Sequence, residues 1–165
     1  MEWEKIELLI KMQYYILGMR PVFRPSALFS DETENYVTPA QPEVGETVTI
    51  RFRTKRDNVD AVYLCHGEES QLMELDYNDK NFDYYKAEVP LGIRQLRYWF
   101  QIKAGRLTCY YDKCGLSNEV RPDCCFCVTP GFHVPEWAKG AVMYQIFVDR
   151  FYNGDLSNDV EDREY

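Results

Sequence analysis

The chain has 165 residues, a formal net charge of −8, and a composition that is 45% apolar and 15% aromatic. Such a length fits one domain plus a further piece, and the apolar content suffices for a packed core. The acidic balance excludes the basic face on which nucleic-acid binders rely and disfavours an anionic membrane surface, and no apolar run approaches the ~18 residues of a membrane span.

Residues 1–19 form an apolar-rich lead-in. Trp3, Ile6, Leu9 and Ile10 have the spacing of a short helix, and the internal Met12 and Met19 suit an upstream extension rather than domain core. The opening Met1-Glu2-Trp3-Glu4-Lys5 lacks a basic region, and Lys11 interrupts the apolar run after it. No secretory leader is therefore expected, and the expected location is the cytoplasm.

Residues 20–130 read as an all-β unit. Pro21, Pro25, Pro39 and Pro42 oppose helix and central strand, so an edge strand near Val22-Phe23 followed by a long loop is expected. From residue 46 the rhythm is two. Val48, Ile50 and Phe52 alternate with Thr49, Arg51 and Arg53, and Asp57-Asn58 then makes a turn. Further strands are expected at 59–65 and 71–75, with a turn-like cluster at 76–79, and then at 83–89. In residues 96–103, Leu96, Tyr98, Phe100 and Ile102 face one way, and Arg97, Trp99, Gln101 and Lys103 face the other. Ala104-Gly105 is a hairpin turn leading into a strand at 107–111, and a last strand is expected at 125–129. Short strands at this spacing predict an immunoglobulin-like antiparallel β-sandwich with Ile50, Phe52, Tyr98, Phe100 and Ile102 in its core.

The six cysteines, Cys65, Cys109, Cys114, Cys124, Cys125 and Cys127, permit three disulfides in many pairings. Without a secretory leader, reduced thiols are the expected state. Cys65 and Cys109 are expected to be buried as small apolar groups. Paired C-x-x-C spacing is absent and His66 and His133 are the only histidines, so a zinc site is not expected.

Residues 131–140 form a linker marked by Pro135, and a different signal starts at 141. Residues 142–148 are more uniformly apolar than the earlier strands, as befits a strand buried on both faces of a parallel sheet. The loop after it is dense in oxygen ligands: Asn153, Asp155, Asn158 and Asp159 suit a hard cation such as Ca²⁺, which takes about six to eight oxygens. An ordinary solvated acidic turn is the competing reading.

Residues 135–159, PEWAKGAVMYQIFVDRFYNGDLSND, resemble the opening of the catalytic barrel in the α-amylase superfamily, glycoside hydrolase family 13. The similarity is greatest to the branch of neopullulanases, cyclomaltodextrinases and maltogenic amylases, from whose pattern Val148 departs by replacing a proline. Ile50 to Lys55, Phe82 to Tyr85 and Leu96 to Phe100 resemble strands of the N-terminal carbohydrate-binding module of family 34 that these enzymes carry.

The resemblance implies a retaining glycosidase acting on α-1,4 and α-1,6 glucans such as starch, pullulan, cyclodextrins and maltooligosaccharides. Retention needs two carboxyl groups about 5–5.5 Å apart. In this family they come from later barrel strands, and a barrel needs about 250 residues. Residues 141–165 then read as the orphan first strand and loop of a truncated (β/α)₈ barrel. No catalytic residue is assigned, and the 165-residue chain is expected to be inactive. The resemblance also implies that Asn153, Asp155, Asn158 and Asp159 are calcium ligands of the whole enzyme and form only part of a site here. Asp149 and Arg150 would help to shape its pocket. Trp99 and Tyr84 are the candidates for stacking on glucose rings. A free-standing starch-binding module and a homodimerisation domain are the alternatives.

Overall fold

The computed structural model of the chain describes residues 22–145 together with Gly154 and Ser157. Ten strands occur among the described residues: β1 (Val37–Thr38), β2 (Thr47–Lys55), β3 (Ala61–His66), β4 (Glu69–Leu72), β5 (Glu74–Asn78), β6 (Phe82–Pro90), β7 (Leu96–Ala104), β8 (Leu107–Asp112), β9 (Gly115–Ser117) and β10 (Phe126–Val128). One sheet runs β1-β2-β6-β5; the other runs β4-β3-β7-β8-β9, with β10 also paired to β7. Every pairing is antiparallel. The all-β, immunoglobulin-like sandwich expected from the strand rhythm is the fold observed. No helix among the described residues is long and apolar enough to cross a membrane.

Alternation decides which side chains meet between the sheets. Val48, Ile50, Phe52 and Thr54 of β2 are fully buried, as are Tyr98, Phe100 and Ile102 of β7 and Val62 and Leu64 of β3. Successive strand residues point to opposite faces, so Arg51, Arg53, Trp99, Gln101 and Lys103 must face outward. Across the sandwich the rings of Phe52 and Phe100 lie 4.4 Å apart. Tyr111 meets Phe52 edge-on at 5.3 Å, and Phe126 of β10 stacks on Tyr98 at 5.4 Å. Cys65 and Cys109 are buried free thiols, as expected of small apolar groups. Burial pushes both thiols above their ordinary value.

Buried polar groups fix the loops. The N–H of Asp57, a residue in the left-handed region at φ 52°, donates to the buried Asp83 carboxylate at 2.8 Å. Asn58 accepts from the Arg24 N–H at 2.7 Å and donates to the Val22 carbonyl at 3.1 Å. These bonds hold residues 22–24 in place without a strand. The edge strand expected at Val22-Phe23 is therefore absent; the first pairings are a bridge from Phe29 to Arg53 and then β1 on β2.

The strand expected at 71–75 is two strands in different sheets. The chain crosses at buried Met73, whose N–H donates to the Val62 carbonyl at 2.9 Å. Asp76 belongs to β5 next to a register shift between Leu75 and Tyr77, and the turn starts at Asp79. The Asp79 carboxylate accepts the N–H groups of Asn81 at 2.6 Å and Phe82 at 2.7 Å.

The cysteines require a further correction. Cys114 and Cys124 form a disulfide across a Cα separation of 5.7 Å, so not all six are thiols. The turn from β8 to β9 brings Cys114 against the 3-10 turn Pro122–Cys124, where the Lys113 N–H donates to the Cys124 carbonyl at 2.9 Å. Beside this link, Asp112 is 2% exposed and accepts from Arg121 Nε at 2.8 Å, from Arg121 Nη2 and from the Cys114 N–H at 2.9 Å.

The chain divides into two compact units between Phe132 and His133. In the second, Glu136–Ala138 form a 3-10 turn and residues 141–145 form no strand. The remainder of the strand expected at 142–148 lies outside the described residues, as do residues 1–19, Asp149 and Arg150.

Two stability measurements check this account. The Tyr98 hydroxyl is buried with no protein partner among the described residues. Removing an unpartnered buried polar group is neutral or favourable, so Tyr98→Phe should leave unfolding stability in urea within about 1 kcal/mol of the parent or raise it. A larger loss would reveal a partner such as a trapped water. Arg121→Ala should lower the urea midpoint, because it leaves the buried Asp112 carboxylate with the Cys114 N–H as its remaining donor; an unchanged midpoint would mean that Asp112 finds water.

Candidate functional site

The outward positions of the two sheets make two distinct faces. On the β3-β7-β8-β9 sheet, the register places Tyr63 opposite Gln101, Gln101 opposite Tyr110, and Tyr110 opposite Ser117. These four residues form one row across four strands. The neighbouring pairs are Cys65 with Trp99 and Ala61 with Lys103. The Lys103 ammonium sits 4.7 Å over the Tyr63 ring, and Gln101 Nε2 donates to the Tyr110 hydroxyl at 3.4 Å. Trp99 is half-buried beside buried Cys65, whose sulfur lies 3.5 Å from the Ser70 hydroxyl. This face joins flat aromatic rings to amide, hydroxyl and ammonium groups. Such a combination can stack on an apolar ring face while hydrogen-bonding its polar rim.

The other sheet presents a face whose groups bind one another. The Arg53 guanidinium lies between the rings of Phe29, at 5.0 Å, and Phe82, at 4.4 Å. Tyr77 and Tyr84 stack at 4.3 Å with an interplanar angle of 14°, and the Tyr84 hydroxyl donates to Asp79 at 3.4 Å. Burial, with the nearby Asp79 charge, pushes the Tyr84 phenol up. Asp76 bridges Arg51 at 3.0 Å and Lys86 at 3.2 Å. Burial opposes its ionisation, but hydrogen bonds and charge from Arg51 and Lys86 outweigh this and hold its carboxyl below the ordinary value.

The two sequence candidates are thus not brought together. Trp99 lies on β7 and Tyr84 on β6, in different sheets and on their outward faces. One ring face of Tyr84 is covered by Tyr77. Tyr63 and Tyr110, which join Trp99 on its face, were not singled out by sequence reasoning. The phase set by Val62 and Leu64 in β3 and by Cys109 in β8 would have pointed both outward. His66 lies 3.7 Å from Glu69 across the turn from β3 to β4. The proposed calcium ligands Asn153, Asp155, Asn158 and Asp159 lie outside the described residues.

Comparison with known proteins identifies the family of this domain. Residues 26–129 match the family described as "Alpha amylase, N-terminal ig-like domain". Over 135 residues, 71% of this chain, the sequence is 33% identical to an amylopullulanase of Thermoanaerobacterium thermosulfurigenes, and the match covers 7% of that protein. Over 151 residues, 80% of this chain, it is 32% identical to a cyclomaltodextrinase of Geobacillus thermopakistaniensis, covering 25% of it. A solved cyclomaltodextrinase structure superposes with a TM-score of 0.55 at 32% identity, covering 83% of this chain and 26% of that one. The chain therefore spans about a quarter or less of the length of these relatives. With the sandwich, the matched family model and the shared relatives in agreement, the chain belongs to the alpha-amylase N-terminal ig-like domain family, a domain carried by glycoside hydrolases of the α-amylase family.

Proposed function

We propose that this sandwich is the N-terminal domain of a retaining glycosidase that acts on α-1,4 and α-1,6 glucans, among them starch, pullulan, cyclodextrins and maltooligosaccharides. The observation that carries the reading is an ig-like domain at 26–129 followed by residues 135–159, which resemble the opening strand and loop of the catalytic barrel. The 165 residues hold no assigned catalytic carboxylate, so the chemistry belongs to the barrel and the sandwich serves binding and placement. Calcium held by Asn153, Asp155, Asn158 and Asp159 is part of the same reading and rests on the sequence of that loop.

Within the domain, the face of Trp99, Tyr63, Gln101 and Tyr110 is the one that contacts glucan. What favours it over the Tyr84 face is the state of the side chains. Tyr84 already spends one ring face and its hydroxyl on Tyr77 and Asp79, and Arg53 is held between two phenyl rings.

The purified chain should show no hydrolysis of pullulan or β-cyclodextrin, and turnover above the buffer rate would contradict the assignment of chemistry to the barrel. On an amylose affinity gel it should be retarded. Trp99→Ala should weaken that retardation about tenfold, the equivalent of the ~1.4 kcal/mol that a stacked ring supplies, and Tyr84→Ala should leave it within twofold. Equal loss in both variants, or loss in Tyr84→Ala alone, would move the site to the other sheet. A chain with no retardation that sediments as a dimer would favour a homodimerisation role instead.

A further inference from the structure

The disulfide between Cys114 and Cys124 stands apart from the glucan reading, and its surroundings give it a character of its own. Cys114 is exposed and Cys124 half-buried, whereas the remote thiols of Cys65 and Cys109 are buried in the sandwich. Exposed disulfides are the ones that reductants reach. The link closes the segment from the end of β8 to the start of β10.

The same segment is held by a second, non-covalent frame. Asp112 accepts twice from Arg121, and Arg121 Nη2 also donates to the Gly115 carbonyl at 2.8 Å. Arg97 donates to the Pro122 carbonyl. Glu32 binds Lys113 Nζ at 2.9 Å and the Cys127 N–H at 2.8 Å. The fold of the sandwich therefore does not hang on the disulfide alone.

We propose that the Cys114 to Cys124 pair is a reversible redox latch on the loop between β8 and β10: closed when oxidised, and openable by a dithiol without unfolding the sandwich. A thiolate of the dithiol attacks the exposed Cys114 sulfur, the S–S bond breaks, and Cys124 leaves as a thiolate that takes up a proton. The second thiol of the dithiol then displaces Cys114 from the mixed disulfide. The protein gains two electrons and two protons, and the dithiol departs as its own disulfide. Opening removes the covalent closure of residues 114–124, which the bonds of Arg121 to Asp112 and Gly115 and the β8–β9 pairing then hold alone.

A metal reading of the same group is less favoured. The sulfurs of Cys114 and Cys124 and a carboxylate oxygen of Asp112 lie within 4.8 Å of one another. However, Arg121 occupies both Asp112 oxygens, and its fixed positive charge repels a cation placed there.

The test uses the whole 165-residue chain, prepared without reductant, denatured and labelled with N-ethylmaleimide before trypsin. The peptide 114–139 should carry labels at Cys125 and Cys127 only, and at all four of its cysteines when dithiothreitol precedes the label. Labels on all four without reduction, or on a different pair, would overturn the proposal. In the native chain, dithiothreitol should speed tryptic cleavage after Lys113 at least tenfold while thermal unfolding stays cooperative, and Cys114→Ser should cleave at the fast rate without reductant. An unchanged rate would overturn the latch, and so would collapse of the whole domain on reduction, which would make the link a structural staple. Zinc retained by the reduced chain and released to a chromophoric chelator would replace the latch with a metal site.

Discussion

The contact on which the rest of this molecule depends is the one between the two sheets, where the rings of Phe52 and Phe100 meet at 4.4 Å. Once Phe52 points inward, the two-residue period of β2 sends Arg51 and Arg53 outward; once Phe100 does, β7 must present Trp99 and Gln101 to the opposite side. A one-residue slip of either strand would exchange core and surface along its whole length. Tyr111 and Phe126 pack against the same pair and bring β8 and β10 into register. The outward faces are thus consequences of an aromatic core.

The two faces differ in how far their side chains satisfy one another. On the β6 side, cation–π contacts, a stacked tyrosine pair and the Arg51, Asp76 and Lys86 cluster form a closed set. On the β7 side, the rings of Tyr63, Trp99 and Tyr110 form no stack with one another among the described residues, and the polar partners between them are long-stemmed and adaptable. This difference leaves more open ring surface on the β7 side, which is what favours that face in the proposed reading.

The long central strands were legible in the sequence because alternation alone decides them: β2, β6 and β7 fall within two residues of the expected spans. Where a strand has no alternating buried set, legibility failed. Residues 71–75 hide a sheet crossing because Met73 is buried between exposed Leu72 and Leu75, and no local pattern marks a single inward residue as a crossover. Val22-Phe23 looked like an edge, yet Asn58, more than thirty residues away, takes the backbone bonds at Val22 and Arg24. The disulfide was hidden for the same reason. Six cysteines allow many pairings, and what selects Cys114 and Cys124 is the meeting of one turn with another. Trp99 was found from its own strand, but Tyr63 and Tyr110 join it only through register with two other strands.

The central claim is that the outward face of β3, β7 and β8 is where this domain meets glucan. A titration of the isotopically labelled chain with maltohexaose, followed by amide chemical shifts, tests it directly. The account predicts shifts grouped on Tyr63, Trp99, Gln101 and Tyr110, with Tyr77 and Tyr84 unmoved. Shifts grouped on Tyr77 and Tyr84, or none at millimolar sugar, would contradict it.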